Sequence, residues 1–183
     1  MKKTDLLLVS GFLLLTTILS GCGYTTRSMI VAKYRTIYIQ PFVNKIDITN
    51  EAYSANKYRI YRPLLESDVT RKVINKYLFD GNLKPVKENK ADLILKGEVT
   101  DFRKDPLRYD QSDNVAEYRI NIVVVNIVLW DRADNSIVWE ESGFTGDYSF
   151  FTSGSQATSE DSAVTKALDD LARRVVERTV EQW

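Results

Sequence analysis

Residues 116–130 read Ala-Glu-Tyr-Arg-Ile-Asn-Ile-Val-Val-Val-Asn-Ile-Val-Leu-Trp. The run holds no glycine or proline and is dominated by β-branched residues. Such side chains crowd a helix and pack well on a pleated surface, so the run is a strand. Strict two-residue alternation puts Ile120, Ile122, Val124 and Val128 on one face. It puts Val123, Val125, Ile127 and Leu129 on the other. A strand apolar on both faces calls for cover on both faces.

Working outward, residues 131–136 supply Asp, Asn and Ser for a turn, and 137–148 form the hairpin partner. Upstream, 104–114 is charged and reads as a connection. Before it, 92–102 alternates Leu93, Leu95, Gly97 and Val99 against Asp92, Lys96, Glu98 and Thr100. A first strand is expected over 35–43, closed by Pro41. The Asn-rich stretch 44–57 is a loop, 83–86 a short extended piece, and 149–158 a small-residue loop.

Two helices complete the chain. Tyr61, Leu65, Val69, Val73 and Tyr77 fall at steps of four, which predicts a helix from Ile60 or Pro63 to Phe79, stopped by Asp80-Gly81-Asn82. Val164, Ala167, Leu168, Leu171, Val175 and Val176 form the stripe of a last helix over 159–182, with Thr158 and Asp161 at capping-box spacing. The order β-α-β-β-β-α predicts an α+β two-layer sandwich, two helices packed on a mostly antiparallel four-stranded sheet. Two helices cover one face of such a sheet. Val123, Val125, Ile127 and Leu129 are therefore candidate partner contacts. The alternatives are that the helices straddle the sheet or that loop 44–57 folds over the second face.

The N-terminus is an address. Lys2 and Lys3 precede an apolar run over 6–19, shorter than the about 20 residues a bilayer-spanning helix needs. The run ends Leu19-Ser20-Gly21-Cys22, which resembles a bacterial lipobox, with Cys22 as the acylated residue carrying fatty chains such as palmitate. Gly23 stands where an inner-membrane retention signal would place Asp, so the expected location is the outer membrane, lipid-anchored and facing the periplasm. The division is a signal peptide at 1–21, an acylated tether at 22–33 and one domain at 34–183.

Composition narrows the chemistry. The 183 residues contain no His, one Cys, 25 Lys+Arg and 25 Asp+Glu. Without His and with a single Cys there is no ready zinc site, and a net charge of zero opposes binding driven by phosphate neutralisation of a nucleic acid. No Gly-x-Ser-x-Gly elbow or P-loop occurs, and nothing in the sequence activates Ser153 or Ser155. Neither an enzyme nor a cofactor is expected. Arg103, Lys104 and Arg108 cluster among Asp101, Asp105, Asp110 and Asp113, a solvated loop or a contact for anionic head groups.

Several stretches resemble one family when read in order: Gly21-Cys22-Gly23-Tyr24 with Arg27, Ile37-Tyr38-Ile39-Gln40-Pro41-Phe42, Ala91-Asp92-Leu93-Ile94-Leu95-Lys96-Gly97-Glu98-Val99, and Ala116-Glu117-Tyr118-Arg119 before the apolar run. They are similar to the lipopolysaccharide-assembly lipoproteins, LptE. The resemblance implies a non-enzymatic plug inside the outer-membrane β-barrel LptD. Such a plug assists assembly of the barrel and helps deliver lipopolysaccharide to the outer leaflet. It also makes Arg103, Lys104 and Arg108 candidate lipopolysaccharide contacts. A rival resemblance rests on Gln40-Pro41-Phe42-Val43-Asn44. It points to a CsgG-like or LpoB-like lipoprotein, a secretion pore or an activator of a peptidoglycan synthase.

Overall fold

The computed structural model describes residues 29–47 and 62–180. The signal peptide, the lipobox with Cys22 and most of the predicted loop 44–57 lie outside the described residues. The chain runs α1 (Met29–Lys33), β1 (Thr36–Ile39), β2 (Val43–Asn44), α2 (Leu65–Asp80), β3 (Lys84–Pro85), a 3-10 turn (Glu88–Lys90), β4 (Leu93–Tyr109), β5 (Val115–Asp131), β6 (Ser136–Glu141), β7 (Phe144–Phe151) and α3 (Glu160–Val180).

The architecture is α+β, but the expected four-stranded, mostly antiparallel sheet is corrected. The sheet has seven strands and is mixed, in the order β3-β1-β4-β5-β6, with β2 also on β4 and β7 also on β5. β1 runs parallel to both β3 and β4. β2 is also parallel to β4, and only β4 to β7 pair antiparallel. The residues expected as one hairpin partner break at Ser142 and Gly143, and Gly143 takes φ +73°. β6 therefore pairs with Ile127–Asp131 and β7 with Glu117–Val124 of the same strand. The charged stretch 104–109 is not a connection. It continues β4 and pairs with β5 up to a turn held by Asp110, whose carboxylate accepts the Ser112 and Asn114 amides at 2.8 and 2.9 Å.

A bulge reassigns the two faces of β5. Glu98 lies opposite Val125 but Lys96 lies opposite Val128, so Asn126 and Ile127 together oppose Gly97. Asn126 takes φ +54°, a left-handed conformation that asparagine tolerates better than a β-branched neighbour would. Past this point the inward row changes parity. Ile120, Ile122, Val124, Ile127 and Leu129 are all fully buried. Ile127 and Leu129 therefore belong to the protein's own core, which overturns their placement on a partner-facing side. The side chains of Val123 and Val125 lie outside the described part of the structure. A second bulge at Thr100 does the same to β4, whose inward row passes from Val99 to Phe102.

Helices α2 and α3 close the inner face. α2 buries Leu65, Val69, Val73 and Tyr77. It starts after Leu64, which takes φ 59° without a side-chain cap, and ends at Gly81 in the left-handed region. α3 is capped by Ser159, whose hydroxyl accepts the Ser162 amide at 3.3 Å, one residue later than the predicted box. Its predicted stripe is buried as expected. The two helices run parallel: Arg62 meets Asp161, Lys72 meets Asp169, and the Tyr77 hydroxyl lies 2.7 Å from Thr179 Oγ1. Thr179 donates its own proton to the Val175 carbonyl, so Tyr77 is the donor of the pair. Burial pushes the Tyr77 phenol up.

Candidate functional site: an N-terminal latch, a distal arm and an outer sheet face

Three surfaces emerge from this frame. The first begins at the N-terminal segment expected as tether, whose last five residues form α1. Asp131 ends β5 and is 3% exposed. Its Oδ2 accepts the Tyr34 hydroxyl at 2.6 Å and the Lys33 ammonium at 3.0 Å, while Oδ1 accepts the Ala133 amide at 2.9 Å. The Tyr34 hydrogen bond, then Lys33 and the turn amides, hold its carboxyl well below the usual range. Asp92 makes a matching clasp: its Oδ2 accepts the Arg35 and Thr36 amides, each at 2.9 Å. The Arg35 amide is the main reason its carboxyl also sits low. Together these aspartates fix the start of β1 against the β5–β6 turn and so set where the N-terminal segment joins the sheet. In the sequence Asp131 is a turn residue only, because its partners lie 97 and 98 positions away.

The latch makes a prediction. Groups held below their free values contribute stability that is present above the free carboxyl value of 3.8 and is lost as pH falls through the lower folded value. Unfolding free energy is therefore expected to decline below about pH 4. Asp131→Asn should flatten that decline and cost about 2–3 kcal/mol at neutral pH, since it weakens hydrogen bonds to a charged acceptor. Urea unfolding between pH 3 and 7 checks this; an unchanged acid limb in the variant would show that Asp131 does not control it.

The second surface is the distal arm of β4 and β5. The structure does not bring Arg103, Lys104 and Arg108 into one patch. Arg103 pairs with Asp101 at 3.2 Å. Lys104 reaches Glu160 of α3 at 2.6 Å, and its ammonium stands 4.8 Å from the Tyr118 ring centroid. Arg108 is the most open of the three, 66% exposed, with Glu117 at 3.6 Å and the Phe151 ring at 5.8 Å. Beside it Leu107 and Tyr109 are exposed.

The third surface is the outer sheet face. Val128 and Trp130 stand there in place of Ile127 and Leu129, half-buried, with the Lys96 ammonium 5.3 Å from the Trp130 ring. Among the described residues no helix is long and apolar enough to cross a membrane.

Comparison with known proteins places this frame. The sequence model of the lipopolysaccharide-assembly family LptE matches residues 34–179, from two residues before β1 into the last turn of α3. The chain belongs to this family. LptE proteins are non-enzymatic lipoproteins of lipopolysaccharide assembly, and that is the context of this chain. No curated protein matches it in sequence. Among solved structures, an uncharacterized lipoprotein B from Nitrosomonas europaea is 14% identical, with a TM-score of 0.54, over 87% of this chain and 91% of that one. A minor lipoprotein from Acinetobacter baumannii is 17% identical, with a TM-score of 0.50, over 80% of this chain and 92% of that one. The hypothetical protein CT253 from Chlamydia trachomatis is 14% identical, with a TM-score of 0.50, over 79% and 95%. At these identities the three share the fold of this LptE-family chain.

Proposed function

We propose that residues 1–21 direct this lipoprotein to the outer membrane, where Cys22 is acylated. There it occupies the lumen of the LptD barrel, assists assembly of that barrel and helps pass lipopolysaccharide to the outer leaflet. The observation that carries this reading is the family match across 34–179, which takes in every strand and both long helices. Leu19-Ser20-Gly21-Cys22 with Gly23 supports the anchor and its location. The inner face is closed by the protein's own helices, so the barrel contact falls to the outer face. Val128 and Trp130 stand there and are candidates, in addition to the Val123 and Val125 expected from the sequence.

For lipopolysaccharide, Arg108 is the best placed of the three basic candidates. A poorly compensated guanidinium flanked by Leu107, Tyr109 and Phe151 suits a phosphate carried next to acyl chains. Arg103 and Lys104 have closer carboxylates and are weaker candidates.

Affinity purification of the full chain from solubilised outer membrane tests the reading. A β-barrel of the LptD kind is expected to co-purify with bound lipopolysaccharide. Cys22→Ala should move the chain from the membrane to the soluble periplasmic fraction. A variant that still pelleted with outer membrane at the wild-type level would end the anchor assignment. Recovery of a homo-oligomeric ring or a peptidoglycan synthase in place of a barrel would favour the CsgG-like or LpoB-like alternative.

A further inference from the structure

One end of the molecule gathers several chain segments. Because α2 and α3 run parallel, both finish at the same end. That end is also where α1 hands the chain to β1: the amide of Lys84, just past α2, donates to the Arg35 carbonyl at 2.9 Å, and Lys33 and Tyr34 bind Asp131 beside it. The last turn of α2 there carries Leu78 and Phe79, which are 59% and 87% exposed. Neither takes part in the helix's packing, which Leu65, Val69, Val73 and Tyr77 provide. Lys76 stands over the Phe79 ring at 5.6 Å.

The charges around this pair are uneven. Lys76, Lys84 and Lys90 have no carboxylate partner among the described residues. Three of the neighbouring acids are already engaged. Asp92 holds two backbone amides, Asp131 holds Lys33 and Tyr34, and Asp80 accepts the side-chain amide of Asn82 at 2.9 Å. Exposed apolar side chains beside lysines that lie outside any ion pair are the make-up of an interfacial membrane contact.

Chain length brings the same end to the lipid. Seven residue steps separate Cys22 from Met29, and a fully extended chain covers about 3.5 Å per residue. The start of α1 therefore stays within roughly 25 Å of the acylated cysteine. This step rests on the anchor reading given above.

We infer that Leu78 and Phe79 form a second membrane contact. Their side chains enter the headgroup layer of the leaflet that holds the acyl chains, and Lys76, Lys84 and Lys90 meet lipid phosphates. The contact orients the domain, with the latch end at that leaflet.

The test uses the processed full-length chain, whose own cysteine is taken up by the acyl group, with a nitroxide on Leu78→Cys. The chain is reconstituted in vesicles of phosphatidylethanolamine with a minor share of phosphatidylglycerol. The label should show an oxygen-to-nickel-chelate accessibility ratio about threefold above that of a label on Ser112→Cys in the β4–β5 turn. Adding Phe79→Asp should lower the ratio towards the Ser112 value while leaving the thermal midpoint unchanged. A Leu78 label that reads like Ser112 overturns the contact. A label shielded from both reagents overturns it too, because it shows cover by protein. So does a Phe79→Asp variant with a lowered midpoint, because Phe79 then belongs to the packed structure. Mass and flotation separate the two readings. A chain without acyl that floats with Leu78 immersed removes the anchor and keeps the contact. One that neither carries acyl nor floats removes both.

Discussion

Leu129→Asp is expected to abolish the folded domain. Leu129 sits in one row across three strands, with Leu95 of β4 on one side and Trp139 of β6 on the other. Leu95 and Leu129 are fully buried and Trp139 is 6% exposed. The cation at this row, the Arg178 guanidinium 5.2 Å from the Trp139 ring centroid, is already held by Glu141 at 3.0 Å. Burying an unpaired charge, or forcing its protonation, costs several kcal/mol, on top of the roughly 2–5 kcal/mol lost with a buried leucine. The sum reaches the whole stability of an ordinary domain, about 5–15 kcal/mol. Far-UV circular dichroism and urea unfolding of the purified chain read the effect. Val128→Asp, one residue earlier, is the companion measurement. Val128 lies on the outer face between Lys96 and Glu140, so its replacement should cost less than about 1 kcal/mol and should act on barrel capture. If Leu129→Asp melted like wild type and lost only its partner, the bulge at Asn126 would be refuted and the simple alternation of β5 restored.

That pair of variants also marks where sequence reading stops. Both long helices were legible because stripes such as Val69-Val73-Tyr77 and Val164-Leu168-Leu171-Val175 repeat over several turns and survive as buried faces. The strand character of β5 was legible from its β-branched run. Its facing was not. Asn126 fits the alternating pattern as one more polar residue, and nothing local says that it takes a positive φ and shifts the row by one. The arm 104–109 read as a connection because both of its faces are wet and its charges hide the two-residue period. β2 and β3 are two residues each, too short to show any period. Together with the parallel pairing of β1 and β4 they turn the sheet from antiparallel to mixed. The family could be recognised from the order of its segments. The surfaces could not, because Lys33 finds Asp131, and Arg62 finds Asp161, only once distant elements are packed together.

Gly146→Ala should also be strongly destabilising, for a purely steric reason. Gly146 lies on β7 opposite Ile122, on the inward row between Phe144 and Phe150. A methyl group there would stand 2.6 Å from both the Cα and the backbone nitrogen of Leu171. The strand needs glycine because the backbone of α3 rests directly on it. A flexible side chain could turn aside, but a helix backbone cannot, so α3 must lift as a unit. Lifting is resisted at the adjacent residue, where the Asp147 amide donates to Asp170 at 3.2 Å and Arg174 reaches the Asp147 carboxylate at 2.9 Å. It would also loosen the buried stripe of α3. The expected loss is about 3 kcal/mol or more, at the upper end of overpacking penalties, and a fall in thermal midpoint of about 10 °C. Gly143→Ala calibrates the size. Gly143 has φ +73° and open space around it, so alanine there pays only the left-handed backbone cost of about 1–2 kcal/mol. Leu171→Ala combined with Gly146→Ala separates the causes further. Shortening that side chain leaves the Cα and nitrogen in place, so it should not rescue the variant. A rescue, or a Gly146→Ala loss no larger than that of Gly143→Ala, would mean that α3 does not sit on β7 as closely as the fold requires.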